Sequence, residues 1–298
     1  MRIDGRSVLS CKFYTRKLCL LSVILLSLSA INVCANDVYK IAGNNHYVSG
    51  HWEELLTASL DITREEFGPF EIVIHAHGMG NERHLKEMIK GELINTRVGV
   101  TTPKREVSYI PIKIPVRKGL LNYRLLLANT SQLHKFADIK TFEQLKKLKV
   151  GLIDRWIISD VFQHNNFDVM RIADYDSFYR MLMAKRYDYT VRGVNEIYVD
   201  LDTKQPEGAD FSVVPNIGVY INSPTYFFIS KRHPRLAKRI ETGLEQIIKT
   251  GQFDEIFYKW HQTSIDKAEI NSRIFIPVEN SNLPANTPTD RAELWFQP

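Results

Sequence analysis

Between Val98 and Tyr123 the chain reads VGVTTPKREVSYIPIKIPVRKGLLNY. A short apolar strand, Val98–Val100, gives way to a polar turn, Thr101–Lys104, and then to Arg105. Pro111, Pro115 and Gly119 follow, and a second apolar run, Leu120–Ala128, begins at once. Proline donates nothing to a strand ladder and holds the residue before it extended. The run therefore reads as a crossover that leaves one sheet for another, and a chain built around it needs two sheets. Open α/β sheets hold their ligands at the carboxyl ends of strands. Arg105, just past such an end, is the first candidate for holding an anion.

The rhythm on either side agrees. Val38–Ala42, Phe70–His75 and Leu93–Val100 read as strands, separated by apolar positions at helical spacing (Trp52, Leu55, Leu56, Leu60, then Leu85, Met88, Ile89). This β-α-β-α-β order implies parallel strands with covered faces. Past the crossover, Thr141 and Gln144 make a capping-box pattern. Val150–Ile153, Val169–Ala173 and Tyr187–Val191 then alternate with helical stretches, the second of them capped by Asp176. Tyr226–Ser230 reads as the return crossover. Pro234 opens a long helix striped by Leu236, Ile240, Leu244, Ile247 and Ile248, with Gly251 at its end. A short helix around Phe253–Trp260 follows. From Asp266 the proline- and asparagine-rich remainder reads as an extended surface tail.

The first 35 residues are of another kind. Arg2, Arg6, Lys12, Arg16 and Lys17 precede the apolar run Leu18–Ile31 and the stretch Val33-Cys34-Ala35. This is the pattern of a secretory signal cut after Ala35, too short in its apolar part to span a bilayer. It carries five basic residues and Asp4, so the net charge of +5 falls to about +1 once it is removed. The remaining chain has no basic excess to suggest nucleic acid. All three cysteines lie in the leader as well (Cys11, Cys19, Cys34). The exported chain is thus thiol-free, which suits an oxidising compartment.

Three stretches together resemble the periplasmic solute-binding proteins of the polar-amino-acid type. They are VGVTTPKREVSYIPIKIPVRKGLL, FADIKTFEQLKKLKVGL and KRHPRLAKRIETGLEQIIKTGQFDEIFYKWH. The strand-loop YDYTVRGVNEI and the tail pairs Leu283-Pro284, Thr287-Pro288 and Leu294-Trp295 resemble a divergent branch of that family. The resemblance implies an α/β two-lobed fold of class II, each lobe a mainly parallel sheet flanked by helices, joined by two crossover strands. Residues 36–120 with 224–265 would form the first lobe, 121–223 the second, and 266–298 the tail. It implies a monomeric periplasmic protein without cofactor, catching a small anionic or zwitterionic solute for an inner-membrane permease or a sensor. The amino-acid binders place a Gly-Thr turn after the strand matching Val150–Ile153, and this chain has Asp154, Arg155 and Trp156 there. They place an acidic residue after the strand matching Tyr187–Val191, where this chain has Arg192 and Gly193, with Glu196 following.

The candidate ligand set is therefore Arg105, whose planar guanidinium pairs bidentately with a carboxylate, Arg192, Trp156, Thr101, Asn44 and Glu196. Arg192 has a bland alternative, a structural ion pair with Glu196. Trp156 either stacks on a ligand or caps a core, and Trp52 reads as core. His75 and His77 share one strand face and, with His84 and Glu82, make a weaker zinc pattern. A dehydratase-like enzyme on the same fold would need an acid or base such as Glu196, Asp154 or His77. The nucleophile pattern Gly-x-Ser-x-Gly is absent. A third reading makes the Leu294-Trp295 tail a partner-docking surface.

Overall fold

The computed structural model describes residues 36–42, 46–75 and 81–298. Residues 1–35, read above as a leader, and Asn44 and His77 lie outside them. The first sheet and its helices come from β1 (Asp37–Ala42), α1 (His46–Asp61), the single turn α2 (Arg64–Phe67), β2 (Phe70–His75), α3 (Asn81–Lys90), β3 (Thr96–Val100), α4 (Pro103–Ser108) and β4 (Ile110–Ile112). The second is built by β5 (Tyr123–Asn129), α5 (Phe142–Leu145), β6 (Val150–Ile153), α6 (Ile157–His164), β7 (Val169–Ile172), α7 (Tyr175–Met183), β8 (Tyr189–Gly193), α8 (Val194–Lys204) and β9 (Phe211–Tyr220). β10 (Thr225–Ile229) and α9 (Pro234–Thr250) return to the first sheet, and α10 (Gln252–Ala268) and β11 (Ile274–Pro277) complete the chain.

The strand order is β2-β1-β3-β10-β4 in one sheet and β11-β9-β5-β8-β6-β7 in the other. β1, β2 and β3 are parallel, as are β6, β7 and β8. The strands that follow the crossovers enter antiparallel. β10 lies between β3 and β4, with Phe227 opposite both Val98 and Ile112, and β5 lies between β8 and β9. Both sheets are therefore mixed, because a strand arriving from the other lobe runs against those already there.

Period-two alternation divides each inserted strand between two cores. Phe227 and Ile229 face one side of the first sheet, and Tyr226 and Phe228 the other. Leu126 and Ala128 face one side of the second, and Leu125 and Leu127 the other. α9 buries Leu236, Ile240, Leu244 and Ile247 in the first core. Gly251, at φ 83°, ends it in the left-handed conformation that glycine adopts without strain.

Several local expectations change. The turn after β3 is a helix, α4, because the Thr102 hydroxyl accepts from the Arg105 N–H at 3.2 Å and Pro103 suits its first turn. Asp174, not Asp176, caps α7, accepting from the Ser177 N–H at 2.8 Å. The helix expected around Phe253–Trp260 extends to Ala268 and serves both lobes. Its Phe253 and Ile256 enter the first core, and its Phe257 and Ala268 enter a core of the second.

The tail is more than a surface strap. β11 pairs in parallel with β9 at the edge of the second sheet. Further on, Leu294 is fully buried in the core of the first lobe, and Phe296 packs into the second. Leu294 is therefore committed to a core within the chain, and Trp295 is half-buried, its indole N–H donating to the Pro288 carbonyl at 2.9 Å. Among the described residues no helix is long and apolar enough to cross a membrane.

Candidate ligand cleft

A cavity of about 580 Å³ opens between the two sheets. The first lobe contributes Arg97 and Gly99 of β3, Arg105 of α4, His84 of α3 and Trp52 of α1. The second contributes Arg124 of β5, Arg192 of β8, Glu196 of α8, and Arg155, Trp156, Ile157 and Ile158 at the start of α6. Arg105, Arg192, Trp156 and Glu196 thus meet at one place. Thr101 is buried beside it, but its hydroxyl donates to Glu106 Oε1 at 2.8 Å.

On the first lobe, capping by Thr102 turns the Arg105 side chain back over the strand end. Its Nη1 donates to the Val100 carbonyl. Gly99 leaves the space this needs, since a Cβ there would stand 3.3 Å from Arg105 Nη1. Arg105 forms no ion pair among the described residues. Burial, with neighbouring Arg97 adding to it, lowers its pKa to about 10. Burial likewise lowers Arg97. Burial and Arg97 together keep the His84 imidazole below its ordinary range, so it is neutral near pH 7. Glu106, the nearest carboxylate in sequence, instead accepts from Thr101 and pairs with Lys113 at 2.9 Å.

On the second lobe Arg192 is clamped. Its Nε donates to Asp200 Oδ2 at 2.5 Å, its Nη1 stands 3.2 Å from Glu196 Oε2, and its Cζ lies 4.7 Å from the Trp156 ring centre. Burial opposes the charge on Arg192, yet Glu196 and Asp200 outweigh it and raise the pKa. Burial likewise opposes the charge on Glu196, and Arg192, Arg124 and Arg117 overcome it, so Glu196 stays ionised below the usual range. Its Oε2 also accepts from the Gly193 N–H at 3.2 Å. Asp154, by contrast, is exposed and pairs with Arg171 at 2.8 Å. Arg124 is 4% exposed, and its Nε has no hydrogen-bond partner. Burial lowers its pKa to about 10, with Glu196 opposing the shift and Arg192 adding to it.

Arg97 and Arg124 are the cleft residues that the sequence reading passed over. Each is a lone charge within an apolar strand (INTRVGV and LNYRLLLA). A buried charge has to be paired or face a cavity, and that signal could have found both. The histidine pattern does not assemble, because His77 lies outside the described residues and no group of three metal-binding side chains occurs among them.

No protein-family model and no curated protein matches the chain. Solved structures do match. A histidine kinase sensor domain with similarity to periplasmic binding proteins is 16% identical with a TM-score of 0.55, over 76% of this chain and 96% of that one. An amino acid ABC transporter substrate-binding protein from Streptococcus pneumoniae, bound to L-arginine, is 12% identical with a TM-score of 0.54, over 76% and 94%. An ancestral amino-acid-binding protein, a precursor of cyclohexadienyl dehydratase, is 16% identical with a TM-score of 0.52, over 75% and 95%. At such identities the likeness concerns architecture, and that architecture is the two-lobed α/β fold of periplasmic binding proteins.

Proposed function

We propose that this chain is an exported solute-binding protein that closes its two lobes on a small anionic or amino-acid-like solute and presents the closed form to a permease or a membrane sensor. The observation that carries the reading is the cleft itself, a cavity of about 580 Å³ with guanidinium groups facing it from both lobes. A ligand touching both walls favours the closed arrangement by its differential contacts, with the crossovers after β4 and after β9 as hinges. The two destinations follow two solved structures that share its fold, one a kinase sensor domain and one a transporter's substrate-binding protein.

An enzyme on this fold would need a carboxylate or imidazole free to exchange protons. Glu196, the one carboxylate on the cavity wall among the described residues, is held ionised by arginines, which weakens it as a base. The His84 imidazole also lines the cavity, but no carboxylate among the described residues pairs with it to orient it as a base, and binding without turnover is the favoured reading.

The test is a thermal-shift screen of the exported protein against amino acids, amines, organic acids and short peptides, repeated on Arg105→Ala. A ligand at about 100 times its dissociation constant adds ~2.7 kcal/mol, a shift of several degrees at this size. A hit recovered unchanged after incubation and lost in Arg105→Ala supports the proposal. A folded protein with no hit in the library, or a hit that is converted, sinks it.

A further inference from the structure

Resting on the solute-binding reading, we infer that the ligand is a small dianion with no ammonium group, two carboxylates on a short apolar spacer, one held by each lobe. The cations on the cavity wall fall into two sets. Arg97 and Arg105 lie close enough on the first lobe for Arg97 to depress the Arg105 charge. Arg124 and Arg192 stand in the same relation on the second. Arg155 adds a further guanidinium at the start of α6.

Against these five arginines the described wall sets one carboxylate, Glu196. It is occupied by Arg192 and by the Gly193 N–H. Asp200 behind it is filled by Arg192, by the Tyr179 hydroxyl at 2.8 Å and by Lys204 at 2.6 Å. An amino acid bound with its carboxylate on Arg105 would thus turn its ammonium toward guanidinium groups, with Glu196, already engaged through Oε2 by Arg192 and the Gly193 N–H, as the one carboxylate on the described wall to receive it. A second carboxylate meets the Arg124 guanidinium, which lines the cavity and forms no ion pair among the described residues. A carboxylate pairs with such a guanidinium through charge-assisted hydrogen bonds. Trp52, Leu121, Trp156 and Ile158 also line the cavity. That suits an aliphatic or aromatic spacer.

The experiment is calorimetric titration of the protein, expressed from its full chain, with straight-chain dicarboxylates of four to seven carbons. Each is compared with its monoamide and with the ω-amino acid of the same length. Glutamate, glutamine, arginine and glycerol 3-phosphate complete the set. The expected result is a dicarboxylate that binds at least 100-fold more tightly than its matched monoamide and amino acid. Arg105→Gln and Arg124→Gln should each weaken it by about 10- to 100-fold. Arg105 is only partly buried, so Arg105→Gln remains informative if Arg124→Gln fails to fold. An amino acid binding as tightly as every dicarboxylate overturns the dianion inference, and glycerol 3-phosphate doing so overturns its two-carboxylate form; either leaves the solute-binding reading standing. No binding by any compound to the folded protein overturns both.

Discussion

Arg192 and Asp200, one helical segment apart in sequence, form a buried pair in which Nε donates to Oδ2 at 2.5 Å and both side chains are less than a tenth exposed. The pair stiffens the second-lobe wall, because α8 carries Asp200 and β8 carries Arg192. Removing one partner of a buried pair costs far more than the pair contributes, since the other charge remains out of water. Asp200→Asn should lower stability by about 3 kcal/mol or more. Glu196 is left to face Arg192 alone. Urea unfolding reads this directly, and an unchanged midpoint would mean that Glu196 suffices.

A second buried arginine fixes the first lobe. Arg239 of α9 is fully buried, donates to Asp37 Oδ2 at 2.9 Å and to the Gly68 carbonyl at 2.7 Å, and reaches the Thr63 hydroxyl at 3.2 Å. Arg235 also pairs with Asp37, at 3.0 Å, but its side chain is 53% exposed. Arg239→Met should cost about 3–5 kcal/mol, and Arg235→Met less than about 1 kcal/mol. Equal losses in the two variants would contradict this division of roles.

Much of this molecule was legible in the chain. The Pro111–Gly119 passage reads as a crossover between two sheets, and the apolar runs Leu120–Ala128 and Tyr226–Ser230 do supply strands, each buried on both faces. Arg105, Arg192, Trp156 and Glu196 were each visible as strand-end residues and do line one cavity. Their division of labour was not legible. Whether Arg192 points at a ligand or at Asp200 depends on a helix register that no local pattern encodes, and tertiary packing decided it. The tail misled because proline and asparagine signal irregular chain. Its apolar residues, Ile276, Leu294 and Phe296 among them, find cores only after the lobes exist.

Gly243 offers a test of how closely α9 crosses α1. A Cβ built there would lie 1.9 Å from the Ser59 carbonyl oxygen and 2.6 Å from its carbon. In an ordinary helix interior, glycine to alanine gains about 0.5–1 kcal/mol. Here the added methyl has no space, so Gly243→Ala should instead destabilise by about 1–3 kcal/mol through overpacking. The sign of the change in melting temperature is the readout, and a rise would refute the close crossing.

His51 of α1 and His261 of α10 lie with ring centroids 4.5 Å apart, both buried, and neither ring nitrogen of His51 has a hydrogen-bond partner. Burial, with Arg117 adding to it, lowers His261 to about 3, and burial with His261 and Arg117 holds His51 well below its ordinary range. Above about pH 6.5 both are neutral folded and unfolded, so they add no pH dependence. Below that, the unfolded chain takes up protons that the folded chain refuses, and stability falls as the pH drops toward the folded values. His261 alone should remove about 2 kcal/mol by about pH 5. The difference in unfolding free energy between about pH 7.5 and pH 5 should be smaller in His261→Leu. Parallel curves for the two proteins would show that the imidazole is not the source.

The final residues tie the two lobes together at the crossover. Phe296 donates its N–H to the Lys118 carbonyl at 2.6 Å, and Arg291 forks onto Glu245 of α9 at 2.6 and 3.0 Å. Trp295 lies against Gly119, whose φ of 68° follows a left-handed Lys118 at 45°. A Cβ on Gly119 would meet the indole at 2.6 Å, so the tryptophan packs where only a glycine leaves room. Removing residues 292–298 exposes the pockets of Leu294 and Phe296, each worth about 1.5–3 kcal/mol of burial. The truncated protein should lose about 3 kcal/mol or more, and hydrogen exchange at 118–122 should quicken as the crossover loses its cover. Trp295→Ala should quicken exchange at the same residues while costing less stability, because Leu294 and Phe296 stay seated. If truncation lowers stability but leaves exchange at 118–122 unchanged, the tail fills cores without bracing the hinge.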